Sequence, residues 1–306
     1  MSKQETLNRL IDTHEERIIG VLKTLEDRIR ADLTNKTKGG SVFNTQFAIS
    51  YRPNIKTLIQ GTYLKEADAI ISEYDDIVRE YQKIVKKLPI DRKFKLLQKA
   101  DLEVINQLKF LSFSGFEDIA NTFLDTISNE VYQSALIGKP FNEMVKNIAG
   151  SINGIYQRSN ENEINKLVDY IEKNRYSSNA GIIERVNNAK TTLASKYGAD
   201  VVGNNMRKYS SQIAHDSLMQ FDGKFTKYKA DQLGIKQYKY SGTRIDTTRD
   251  FCARNMGKVF TEEQARSLWE NNRWKGKSGS DPFVDRGGYR CRHSWIIYNP
   301  EWENIL

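Results

Sequence analysis

With 306 residues, 39% of them hydrophobic and 28% charged, the chain has room for one large or two ordinary domains and a sizeable buried core. Two cysteines exclude a disulfide scaffold and point to a reducing compartment. The formal charge is +8, and residues 236–306 carry thirteen Lys/Arg against nine Asp/Glu, half of the excess in a quarter of the length; this admits a polyanionic partner, or simply a lysine-rich soluble surface.

The first residues, Met1 to Glu5, lead into a charged helix without an apolar signal core. No later run is apolar enough to span a bilayer, so neither conventional secretion nor membrane embedding is expected.

Leu7, Leu10, Ile11, Ile18, Leu22, Leu25 and Ile29 recur mostly in steps of three and four, predicting a long amphipathic helix over 4–33. Gly39-Gly40 ends it, and a short segment with Pro53 follows. The clearest periodicity runs from Tyr63/Leu64 through Ala67, Ile70/Ile71, Tyr74, Ile77/Val78, Tyr81 and Ile84/Val85 to Leu88, where Pro89 stops the helix. Two such helices suit internal core packing, an antiparallel hairpin or a coiled coil between subunits.

Helical patterns continue over 93–112, 116–136, 141–156, 161–174, 180–196 and 201–232. Breaks are expected at Ser112-Phe113-Ser114-Gly115, Gly138-Lys139-Pro140, 157–160, 177–179 and Gly198. The last helix ends at Gly234, a residue that takes the left-handed conformation without steric cost.

Beyond Gly234 the pattern changes. Lys236 to Tyr240, Lys258 to Phe260 and His293 to Tyr298 are aromatic and β-branched runs that predict strands. Thr261 and Gln264 predict a capping box at the start of a short helix reaching Trp269. Residues 271–286 predict a long loop. The fold expected is mainly α, a long-helix body with a small α+β C-terminal module. A serial division is read as 1–115 (an N-terminal helical region), 116–235 (a helical body) and 236–306 (the module).

The chemistry-bearing residues concentrate in that module. Cys252, Cys291 and His293 are the metal-ligand types, and a structural zinc site needs a fourth ligand, for which Asp246, Asp250 or His215 is available. With 38 residues between the cysteines and no C-x-x-C pair, packed thiols, a disulfide and a metal site all stay open. Cys291 and His293 at i and i+2 share one face of a strand, which also admits a nucleophile and base; no orienting group or oxyanion hole is identifiable. Arg249, Arg286, Arg290, Arg292, Asp246 and His293 would suit a metal-independent nuclease. The same arginines can instead hold an irregular module together through Asp246, Asp250 and Asp285. Gly287-Gly288 permits a tight turn into the last strand, and no nucleotide-binding glycine spacing exists. His14 and His215 read as packed or surface histidines on helices.

Two phrases, Ser241-Gly242-Thr243-Arg244-Ile245-Asp246-Thr247-Thr248-Arg249-Asp250-Phe251-Cys252 and Gly287-Gly288-Tyr289-Arg290-Cys291-Arg292-His293, carry a resemblance. Together with Gly138-Lys139-Pro140-Phe141 and Gly257-Lys258-Val259, they make residues 139–300 similar to the phage Mu F-like and SPP1-type head morphogenesis proteins. Those proteins more often have asparagine where this chain has Arg290. The resemblance implies a minor capsid protein of a tailed phage, located in the virion at the portal vertex or capsid interior. Its implied partners are the portal protein and packaged double-stranded DNA, met through phosphates, in packaging, retention or ejection. It implies no catalytic residue and no cofactor; Arg244, Asp246, Arg249, Cys252, Gly287, Gly288, Cys291 and His293 are carried over as domain-defining positions. The N-terminal helices then become the expected element for portal binding or self-association. The alternatives are a nuclease-type effector carried by the C-terminal module, and a cytoplasmic helical adaptor.

Overall fold

The computed structural model describes residues 3–156, 161–174, 179–197, 201–202, 205–245 and 248–302. It is 74% helical with one small three-stranded antiparallel sheet near the C-terminus, the mainly α architecture that the periodicities predict. The expected breaks at 157–160, 177–178 and Gly198, and the candidate residue Asp246, lie outside the described residues.

Helix α1 spans Lys3–Lys36 and α2 spans Thr45–Ile59. Pro53 sits inside α2, removing one backbone donor without ending the helix, so the segment ahead of Tyr63 is itself helical. A π turn, Gln60–Leu64, joins α2 to α3, Lys65–Ser72. The single helix expected over 63–88 is divided into α3 and α4, Asp75–Lys87. At the junction the amides of Glu73 and Tyr74 bond to the carbonyls of Ile70 and Ile71, three residues back. That tighter 3₁₀ spacing carries the chain from α3 into α4. Leu88 then turns extended, with φ −73° and ψ 148°, as a residue preceding proline must.

After the short α5, Arg92–Lys95, helix α6 runs from Lys99 to Leu136 without interruption. It passes straight through the expected break at Ser112–Gly115. The hydroxyls of Ser112 and Ser114 bond back to the carbonyls of Leu108 and Leu111, a pattern compatible with a helix interior. A Cβ at Gly115 would lie 2.8 Å from the Ile213 side chain, so this glycine permits close helix packing instead of a stop. Helix α7, Phe141–Asn153, ends at Gly154 with φ 77°. Strand β1, Ile155–Tyr156, then pairs antiparallel with β2, Val201–Val202. Between them lie α8, Asn162–Asn174, and α9, Ala180–Tyr197. The long helix expected from 201 starts at Met206 as α10, Met206–Gln232, with the Asn205 side chain capping the amide of Lys208 at 2.9 Å.

The C-terminal module follows the sequence closely. Strand β3, Gln237–Ser241, is central in the order β4-β3-β5, with β4 at Val259–Thr261 and β5 at Ser294–Ile297. Helix α11 is Asp250–Asn255 and α12 is Glu262–Asn271. The capping box forms as expected, Thr261 Oγ1 accepting from the Gln264 amide and the Gln264 side chain accepting from the Thr261 amide. Within the expected loop, Pro282–Asp285 makes a single turn, α13, capped by Asp281.

The chain forms two compact units that cut across the serial division at 115 and 235. The first comprises Met1–Val21, Ile59–Asn121 and Ser210–Leu306; the second comprises Leu22–Leu58 and Thr122–Tyr209. In the first, β3 alternates half-buried and buried residues, and Tyr238 and Tyr240 point into a cluster with Phe251, Phe283, Trp295 and Trp302. The second contains an apolar cluster between α8 and α9 built on Ile164, Val168, Ile171, Val186, Ala189 and Leu193. Leu7, Leu10, Ile11, Ile18, Leu22, Leu25, Ile29 and Leu33 of α1 are all essentially inaccessible. The stripe that suggests a self-association surface is therefore occupied by the chain's own core. No helix among the described residues is long and apolar enough to cross a membrane.

Candidate thiol and imidazole centre

Three side chains from the two sequence phrases converge in the first unit. Cys252 lies on α11; Cys291 and His293 lie on the segment that enters β5. All three are buried, at 1%, 2% and 5% exposure. The cysteines are unbonded, with sulfurs 3.8 Å apart, and Cys291 Sγ lies 3.6 Å from His293 Nδ1. The Tyr240 hydroxyl lies 3.3 Å from one sulfur and 3.7 Å from the other, and its ring stacks on His293 with planes 4° apart.

The glycine turn closes this cluster. A Cβ at Gly287 would sit 2.4 Å from Cys252 Sγ and 2.6 Å from Cys291 Sγ, so only a residue without a side chain fits. Gly288 has φ 87°, and a Cβ there would meet the Gly276 carbonyl oxygen at 2.1 Å. Trp274 Nε1 donates to the Gly287 carbonyl at 2.9 Å and fixes the turn, while its ring stacks on Phe251 of α11 at 3.9 Å.

The thiols are electrostatically unequal. A hydrogen bond from Cys252, with His293 and the Arg286 guanidinium nearby, holds Cys291 well below the usual thiol range despite its burial. Cys252 is pushed up by the same bond to Cys291 and by burial. Burial and the two sulfurs push the Tyr240 hydroxyl well above the usual phenol range, so it stays a neutral donor.

Of the fourth ligands considered, His215 is turned elsewhere, its Nδ1 3.2 Å from Glu15 and its Nε2 3.4 Å from the Cys291 carbonyl. Asp250 is exposed at the start of α11. Among the described residues the group of metal-ligand types is Cys252, Cys291 and His293, whose ligand atoms lie within 4.8 Å of one another. A cavity of about 460 Å³ opens onto this group, walled by Thr243, Thr248, Arg249, Tyr289, Arg290 and Arg292.

The arginines serve as internal ties. Arg249 donates to the carbonyls of Lys275 and Tyr289. Arg290 pairs with Glu15 at 2.5 Å and Ser211 at 2.9 Å, and Arg292 pairs with Asp12 at 2.6 Å. Arg286, 2% exposed, donates to the Val284 carbonyl and lies 4.0 Å from Asp216. The carboxylate partners expected from the sequence were Asp246, Asp250 and Asp285. Those found come from α1 and α10, because tertiary packing brings distant helices to the module. Arg244 is exposed and outside the cluster.

Glu15, which the sequence did not single out, is the hub of this network. Burial alone would raise its carboxyl, but hydrogen bonds from His215 and Arg290 and the Arg290 charge hold it down to about 2, from an ordinary value of 4.5. A depressed carboxylate stabilises the fold above its unfolded value, and that contribution disappears as pH falls through the folded one. Glu15→Gln is therefore expected to cost about 3 kcal/mol at neutral pH. In denaturant titrations at stepped pH, the wild-type and variant curves should converge between pH 4.5 and 2; a gap independent of pH would contradict this account.

No protein-family model, curated protein or solved structure matches this chain.

Proposed function

We propose that this chain is a minor capsid protein of a tailed phage. It sits at the portal vertex or capsid interior and acts in DNA packaging, retention or ejection without a catalytic step of its own. The reading rests on the resemblance of the two C-terminal phrases, and one structural observation supports it. Arg249 and Cys252 from the first phrase and Gly287, Gly288, Cys291 and His293 from the second, six of the eight domain-defining residues, meet around one buried cluster. The departure at Arg290 is of the same kind. Its φ is 50°, in the left-handed region where asparagine is the favoured side chain after glycine. The family's asparagine and this chain's arginine would answer the same backbone requirement.

With the α1 stripe buried, portal contact or self-association through the N-terminal helices would use other surfaces. The basic excess supports sequence-independent, salt-sensitive phosphate contacts with packaged DNA, for which Arg244, Arg254 and Lys258 are exposed in the module.

Quantitative mass spectrometry of density-purified particles tests the reading, comparing full heads with heads emptied of DNA. The expected result is presence at a few to about a dozen copies per particle, far below a major shell protein. Loss on emptying would assign it to ejection, and retention to the portal vertex. Absence from both kinds of particle would overturn the virion reading in favour of a cytoplasmic adaptor. Cleavage of nucleic acid by the purified chain, abolished by His293→Ala, would favour the effector.

A further inference from the structure

We propose that Cys252, Cys291 and His293 form a metal-binding site for a single zinc-class divalent cation, with a fourth, exchangeable position supplied by water from the adjoining cavity. This goes beyond the virion reading and does not depend on it.

The first argument is geometric. Tetrahedral zinc with Zn–S bonds of about 2.3 Å and Zn–N bonds of about 2.0–2.1 Å sets its ligand atoms about 3.8 Å apart for two sulfurs and about 3.6 Å apart for sulfur and nitrogen. The observed separations are 3.8 Å for the two sulfurs and 3.6 Å for Cys291 Sγ to His293 Nδ1. Two edges of a coordination tetrahedron are thus already in place.

The second argument concerns unsatisfied polarity. The two thiols, the imidazole and the Tyr240 hydroxyl are buried together, and among the described contacts their partners are chiefly one another through sulfur, a weak hydrogen-bonding atom. A buried polar cluster with so few good partners is the kind of arrangement that a bound ion completes.

Charge and access agree with this. Two thiolates neutralise a divalent cation, so the loaded site adds little net charge to a buried environment. The Tyr240 hydroxyl is placed to donate to a thiolate, the outer contact that holds metal ligands in orientation. The cavity gives the ion a path and leaves room for a water ligand. Soft thiolates with one imidazole select zinc over magnesium or calcium.

The test uses the full chain purified under reducing conditions with zinc present, then gel-filtered and analysed for metal and for thiols. One zinc per chain is expected, released when a mercurial reagent titrates the two cysteines. Cobalt substitution should give a thiolate-to-metal charge-transfer band and the intense visible bands of a tetrahedral site. Cys252→Ser, Cys291→Ser and His293→Ala should each weaken zinc binding by more than about 100-fold, since loss of an outer partner alone costs 10–100-fold; Glu263→Ala, at an exposed position, should not. Should the ligand variants fail to fold, the wild-type cobalt spectrum decides. A folded wild-type chain with two freely titrating thiols and no bound metal would overturn the proposal, as would a Cys252–Cys291 disulfide that persists under the reducing preparation.

Discussion

Lys229→Ala is expected to destabilise the chain by about 3–5 kcal/mol, the cost of leaving one half of a buried ion pair without its partner. Lys229 Nζ lies 3.1 Å from both carboxylate oxygens of Asp101, and the two side chains are 3% and 0% exposed. Asp101 also accepts from the Gln98 amide at 2.8 Å and from Gln232 Nε2 at 3.1 Å, so the carboxylate is held in place while its counter-charge is removed. Burial favours its protonation, but the Gln98 amide and Lys229 outweigh that and hold it below the usual carboxylate range. The pair's contribution is thus present above that range and declines as pH falls through it.

Replacing both partners by apolar residues, Asp101→Leu with Lys229→Met, should recover most of the loss, because no charge remains to be desolvated. Lys99→Ala supplies the contrast. Lys99 is 92% exposed and 3.9 Å from Glu103, and its loss should fall within about 0.5 kcal/mol. Urea unfolding of the four proteins, compared at constant slope, makes the measurement; a Lys229→Ala cost below about 1 kcal/mol would show that water reaches the pair.

Gly287→Ala should be the next most damaging change, at about 3 kcal/mol, the upper end of ordinary overpacking. The cost is steric: the added methyl would overlap both sulfurs, and the turn cannot retreat readily while Trp274 is bonded to the Gly287 carbonyl. Displaced thiols should also react faster with a thiol reagent than in the wild type, a readout that general loosening of distant helices would not produce selectively. Gly61→Ala is the internal control. It lies in the helical turn between α2 and α3 with nothing within 4 Å of an added Cβ, and should be neutral or stabilising by up to about 1 kcal/mol. Equal losses at both positions would mean that the approach to sulfur does not govern Gly287.

Elements whose signals are local are legible in the sequence. The apolar spacing in α1, the Pro89 stop, the Thr261/Gln264 box, the Gly234 terminus and the three aromatic strands depend on residues a few positions apart, and such residues interact whatever the rest of the chain does. The convergence of Cys291 and His293 was legible for the same reason, because i and i+2 share a face. Local signals also misled where packing prevailed. Ser112–Gly115 reads as a break, yet the helix continues because Ile213 fills the space beside the glycine; Val201-Val202 reads as helix, yet it pairs with Ile155-Tyr156.

The remaining features come from packing between distant parts of the chain. That packing brought Cys252 within 3.8 Å of Cys291 across 38 intervening residues. It also assigned the module's arginines to Glu15, Asp12 and Asp216, and placed the first part of α1, up to Val21, in the unit that holds the C-terminal sheet. These contacts join residues up to 280 positions apart. No periodicity encodes them, because they arise from which buried faces find one another when the helices pack.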